Sequence, residues 1–180
     1  MILIVAGVSG SGKTTVGSML AGRLGWRFAD ADAFHPAANI AKMAAGIPLT
    51  DADRQPWLHA ITTWMDERIA RGASAVVTCS ALKRAYRDDL LGGRPQARMI
   101  FLSVDREEVA RRLAARHGHF FPSGLLSSQF DTLEEPGRNE HPVVVTVHHS
   151  VAETVLELLQ RLSAQPKAAP DPGRAAKNIC

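Results

Sequence analysis

Two rhythms of apolar and polar positions divide the chain. Largely apolar runs at Ile2–Ala6, Ala75–Cys79, 99–104 and 143–147, the last three each with a single Thr or Ser, are too short for helices. They predict buried strands. A shorter stretch, 26–30, follows the helix-closing Gly25 and predicts a further strand. Between these lie segments with apolar residues at helical spacing. Val16, Met19, Leu20 and Leu24 predict a helix over Lys13–Leu24. Residues 37–45 predict a second helix, which ends at Gly46-Ile-Pro48. Thr50-Asp-Ala-Asp53 offers capping oxygens for a third, whose stripe runs through Trp57, Leu58, Ile61, Trp64, Met65 and Ile69. Further helices are predicted over 82–91 (basic), 105–116 (charged) and 151–162, while 117–128, rich in Gly, Phe, Pro and Ser, interrupts the pattern.

Strands alternating with helices predict an α/β fold, a parallel sheet covered on both faces. A length of 180 residues fits one domain, taken as 1–163. From Ala164 onward the apolar spacing disappears among Pro, Ala, Lys and Gly, and 164–180 is expected to be a disordered tail. The net charge is only +3, with basic and acidic residues interspersed. That argues against nucleic acid and suits a small polyanionic ligand. No segment reaches the length of a membrane span, and the first residues already form a strand, so the expected location is the cytoplasm. Cys79 and Cys180 make neither a disulfide framework nor a metal site, and Cys79 reads as a buried small hydrophobe.

The first apolar run breaks into Gly7-Val8-Ser9-Gly10-Ser11-Gly12-Lys13-Thr14-Thr15, which satisfies the phosphate-loop pattern G-x-x-x-x-G-K-[ST] between a strand and a helix. Backbone N–H groups and the positive helix end suit phosphates, so Gly7 to Thr15 are the candidate ATP-binding residues. Lys13 can reach the β- and γ-phosphates, and the Thr14 hydroxyl can ligate Mg²⁺. Asp30 and Asp32 lie at the carboxyl end of the second strand, where alternation places both on one side of the chain. The third strand ends Thr78-Cys79-Ser80, without the acidic residue that often serves Mg²⁺. Asp30 can fill that role through a water, leaving Asp32 for the attacking hydroxyl.

Arg112 and Arg116 share a helix face, and 112–128 is the candidate mobile lid that would bring them to the phosphates as catalytic cations. Glu108 can pair with Arg112, and Glu107 with Arg111. Arg54, Lys83, Arg84 and Arg87 follow caps or strand ends and can face an anionic substrate, while His35 can bind a hydroxyl or cap the next helix. Trp57 and Trp64 read as core.

These stretches together resemble the gluconate kinases, the small phosphate-loop type related to shikimate kinase. The shared residues are the loop, His35-Pro36, Asn39, Lys42-Met43, Gly46, Pro48-Leu49 and Asp51-x-Asp53-Arg54-x-Pro56-Trp57-Leu58. They continue as Cys79-Ser-Ala-Leu-Lys83-Arg84-x-Tyr86-Arg87, Arg112-Leu-x-x-Arg116-x-Gly-His119-Phe-Phe121 and Gln129-Phe-x-Thr-Leu133-Glu-x-Pro136. The resemblance implies a three-layer phosphate-loop kinase with a five-stranded parallel sheet of nucleoside-monophosphate-kinase type. It implies ATP- and Mg²⁺-dependent phosphorylation of D-gluconate to 6-phosphogluconate, feeding the pentose phosphate or Entner-Doudoroff route. Asp32 would handle the substrate hydroxyl, and Arg54 and the Lys83–Arg87 group would hold the sugar acid, with His35 beside them; a homodimer is an assembly seen in such kinases. Two positions depart from the family pattern. The acidic pair reads Asp-Ala31-Asp where Asp-Gly-Asp is usual, and Thr146 stands in the last strand where an aspartate is more usual.

Overall fold

The computed structural model describes residues 1–114, 123–147 and 150–164. Strands β1 (Ile2–Ala6), β2 (Arg27–Asp30), β3 (Ala75–Cys79), β4 (Ala97–Ser103) and β5 (Val143–Thr146) form one sheet in the order β2-β3-β1-β4-β5. Every pairing is parallel. The helices are α1 (Lys13–Leu24), α2 (Ala37–Ala44), α3 (Asp51–Ala70), α4 (Arg84–Leu91), α5 (Arg106–Ala114), α6 (Ser123–Thr132) and α7 (Val151–Ala164).

Strand alternation explains the layers. Leu3 and Val5 of β1 join Val76, Ile100, Leu102, Val143 and Val145 beneath Val16 and Leu20 of α1, Val109 of α5 and Val155 and Leu158 of α7. Ile2, Ile4 and Ala6 point the other way. They meet Val77, Met99 and Phe101 beneath Trp57, Leu58, Ile61 and Met65 of α3 and Tyr86 and Leu90 of α4. Both faces of the central strands are therefore dry, which is why they read as continuous apolar runs rather than as alternation.

The topology fixes where a ligand can bind. From β1 the chain crosses over β3 to reach β2; from β3 it crosses over β1 to reach β4. The loops after β1 and β3 thus separate at their carboxyl ends, opening the crevice that such sheets use for ligands. Gly7 N–H donates to Ser80 C=O at 3.3 Å across the base of that crevice.

Three expectations are corrected. The basic helix starts at Arg84 rather than at residue 82, because residues 80–83 form the strand-to-helix turn and Ala81 there adopts φ +45°. The expected interruption over 117–128 ends early. Helix α6 begins at Ser123, anchored by buried Leu126 and by Phe130 packed on the core. Alternation does not place Asp32, since a 3-10 turn, Ala31–Phe34, begins directly after Asp30. Ala31 meets no backbone demand for glycine: the positive-φ non-glycine residues among those described are Ala81 and His141.

Helix α1 lies close on the sheet at Gly17, where an added Cβ would sit 2.9 Å from the Thr78 methyl and 3.1 Å from the Phe28 ring. Gly17→Val is expected to overpack this contact, costing about 1 to 3 kcal/mol. Thermal unfolding checks it, with a fall in Tm of about 2–4 °C per kcal/mol.

Candidate active site

The site is assembled at the carboxyl ends of β1, β2 and β3. Gly12 caps α1 in a left-handed conformation, φ +93°, with open space on the side where a Cβ would stand. Only glycine enters a helix this way at little cost, and the turn exposes the helix amino end. Lys13 folds back over the loop, its Nζ donating to Val8 C=O at 2.9 Å. Thr14 Oγ1 donates to Asp30 Oδ2 at 2.7 Å. The other oxygen of Asp30 accepts the Asp32 N–H at 3.1 Å, so one carboxylate both meets the helix start and sets the turn that presents Asp32 to solvent.

The floor is the end of β3. Burial pushes the Cys79 thiol up to about 12, and Lys13, Asp32 and Asp30 all lie within its electrostatic reach. The sulfur is a neutral filler beneath charged neighbours.

A second group flanks Asp32. His35 stacks on Trp57, with ring centroids 4.5 Å apart and planes 7° from parallel. Trp57 is itself pinned by donation from Nε1 to Ala31 C=O at 2.7 Å. Burial lowers the His35 pKa, Asp32 opposes that shift, and Arg54 adds to it. Buried Asn39 of α2 donates to Asp53 C=O at 2.8 Å, and Lys42 reaches the Asp53 carboxylate at 2.7 Å. Lys42, followed by the Thr50 N–H and hydroxyl, holds Asp53 down at about 2. These bonds fix α2 against the capped start of α3.

Beyond them Asp51, Arg54, Lys83 and Tyr86 gather. Lys83 Nζ meets both Asp51 oxygens at 2.7 and 2.8 Å, and the Tyr86 hydroxyl donates to Asp51. Arg54 lies 3.8 Å from Asp51, and both cations stand over the Tyr86 ring at 5.8 and 5.7 Å. Bonds from Lys83 and then Tyr86 lower the Asp51 pKa, while Lys83 is raised by the same contact. Two cations around a single exposed carboxylate make a cradle suited to an anionic ligand.

The residues fit a magnesium-bound nucleotide. A hydroxyl and a carboxylate 2.7 Å apart are hard oxygen donors. No group of three or more metal-ligating side chains occurs among the described residues. Mg²⁺ in phosphate-transfer sites characteristically takes one or two protein oxygens and completes its shell with phosphates and water.

An AAA domain family model matches residues 2–136. The chain is 50% identical over 159 residues to the gluconokinase of Gluconobacter oxydans (strain 621H), covering 88% of this chain and 89% of that protein. The chain belongs to the gluconokinase family. The structure of a gluconokinase from Sinorhizobium meliloti 1021 superposes with a TM-score of 0.77 at 44% identity, covering 89% of this chain and 94% of that one. An unliganded sugar kinase from Janibacter sp. HTCC2649 gives 0.84 at 44% identity, covering 94% and 98%.

Within this gluconokinase-family frame the sequence-derived residues separate. Lys13, Thr14, Asp30, Asp32, His35, Arg54 and Lys83 lie along one path from loop to cradle. Arg87 does not. Its side chain is 1% exposed and pairs with Glu140, from Nε at 2.6 Å and Nη2 at 3.1 Å. Its Nη1 donates to Ala81, Leu82 and Glu134 carbonyls at 3.1, 3.0 and 2.8 Å. All three of its guanidinium nitrogens are bonded inside the protein and the side chain is buried, so it holds the strained Ala81 turn and thereby Lys83 and Tyr86. Arg84 turns with it, towards Asp88 and Glu140. Arg112 bonds Glu108 at 2.7 Å and Val147 C=O at 3.2 Å, and Arg111 hydrogen-bonds Glu108, with Glu107 acting on it only through its charge. Arg116 lies outside the described residues. Asp51 and Tyr86 were missed as site residues; an acidic helix start and a tyrosine in a basic helix are ordinary until the fold brings them together.

Arg87→Met is expected to strand the Glu140 carboxylate and cost roughly 3 to 5 kcal/mol of stability. Chemical denaturation measures this. A raised KM for sugar acid at unchanged stability would instead return Arg87 to the substrate.

Proposed function

We propose that this chain transfers the γ-phosphoryl group of ATP to the terminal hydroxyl of D-gluconate, giving 6-phospho-D-gluconate and ADP. The observation that carries the reading is the linked arrangement of Thr14, Asp30 and Asp32, which sets a phosphate loop, a pair of hard oxygen donors and an exposed carboxylate side by side. Family membership supports the sugar acid, and the cradle of Arg54, Lys83 and Tyr86 offers its carboxylate two cations and a hydroxyl.

In this reading the backbone from Gly7 to Thr15 and the Lys13 ammonium hold the phosphates. Mg²⁺, held by Thr14 and through a water by Asp30, would draw charge from the phosphate oxygens. His35 and Arg54 orient the polyol so that its terminal hydroxyl meets Asp32. As the hydroxyl oxygen bonds to phosphorus and the bond to ADP breaks, Asp32 takes the proton. Arg112 and Arg116 supply positive charge to the transferring group. Among the described residues no helix is long and apolar enough to cross a membrane. A cytoplasmic enzyme in sugar-acid catabolism, acting on a small molecule and assembled as a homodimer, completes the proposal.

Asp32 is exposed, so its replacement tests chemistry apart from folding. Asp32→Asn keeps shape and removes the base, and is expected to lower kcat with gluconate by about 10² to 10⁴ while the melting temperature holds. Steady-state kinetics decides it; an unchanged kcat would remove Asp32 from the proton transfer.

A further inference from the structure

Helix α6 touches the phosphate loop at one polar point. The Ser9 N–H donates to Gln129 Oε1 at 2.6 Å, across 120 positions of sequence. The same peptide unit carries Val8 C=O, which accepts from Lys13 Nζ at 2.9 Å and from the Ser11 N–H at 3.2 Å. No cis peptide occurs among the described residues, so this unit is trans and its N–H and C=O point in opposite directions. Gln129 therefore holds one end of a rigid plane whose other end holds the loop lysine. We propose that Gln129 is a positioning residue for Lys13, clamping the Val8–Ser9 peptide so that its carbonyl aims the ammonium at the phosphates.

Packing does not do this alone. A partly open recess of about 60 Å³, lined by Val8, Leu102, Val104, Phe130 and Leu133, lies beside the loop, so the side chains there do not close completely on it. A plane carrying three hydrogen bonds beside that recess is oriented by them, and the one to Gln129 comes from outside the loop. Gln129 is also well placed to keep its position, because the neighbouring Leu126 is buried and Phe130 packs on the core. Hydrogen bonds in series polarise one another, so acceptance from Ser9 N–H also strengthens Val8 C=O as the acceptor for Lys13.

The inference rests on the nucleotide reading of the loop, and a double-mutant cycle separates the two. The probe is a non-hydrolysable ATP analogue with Mg²⁺, titrated calorimetrically into the parent, Gln129→Leu, Lys13→Met and the double variant. Gln129→Leu is expected to weaken analogue binding about fivefold, the worth of one net hydrogen bond. In the Lys13→Met background the same change is expected to have no effect, because the residue acted through the lysine. An equal loss in both backgrounds, or none in the parent, overturns the proposal. Should Gln129→Leu fail to fold, Gln129→Asn withdraws the carboxamide by one methylene and must show the same dependence on Lys13. Failure of the parent itself to bind the analogue would overturn the nucleotide reading and the positioning role with it.

Discussion

The bond between Thr14 and Asp30 joins the two halves of the site. Thr14 belongs to the first turn of α1, whose place is set by the left-handed Gly12 and by burial of Val16 and Leu20 on the sheet. Asp30 ends β2, two strands away from β1, with β3 between them. For a hydroxyl of one to meet a carboxylate of the other, α1 must cross β3 closely, and Gly17 against Thr78 and Phe28 is where it does. Asp32 depends on the same carboxylate, since the second Asp30 oxygen fixes the turn that carries it. The start of α1 after the glycine-rich loop and the exposed Asp32 carboxylate are in this way placed together by one packing contact and one hydrogen-bonded pair.

Charge is arranged with similar economy. Arg54 and Lys83 converge on Asp51, and the Tyr86 hydroxyl completes the group, so the cations are held at a fixed place without a ligand. Exposed ion pairs of this kind contribute little to stability, which makes orientation their more substantial effect. The buried Arg87–Glu140 pair differs: it is nearly removed from solvent and fastens the turn leading to Lys83. One basic segment thus contains a residue that can meet substrate and another that holds the first in place.

Much of this was legible in the sequence because the signals were local. Largely apolar runs mark β1, β3 and the middle of β4, since strands buried on both faces have no polar side to alternate with. Glycine spacing marks the loop, and Thr50 with Asp53 marks the capped start of α3. Signals that depend on distant partners were not legible. Nothing in Lys83-Arg84-x-Tyr86-Arg87 distinguishes the half-buried lysine from the fully buried arginine, because the distinction is made by Glu140, more than fifty positions away. The start of α6 was hidden by the Gly, Pro and Ser around it, while tertiary burial of Leu126 and Phe130 outweighs that weak local propensity. The contact between Ser9 and Gln129 likewise has no local trace.

The most direct test of the account is an initial-rate comparison with ATP and Mg²⁺ across D-gluconate, other aldonic acids, shikimate and nucleoside monophosphates, with the phosphorylated product identified. The account predicts turnover with D-gluconate and a product phosphorylated on its terminal hydroxyl. ATP binding without turnover of gluconate, or preferred turnover of shikimate or a nucleotide, would contradict it.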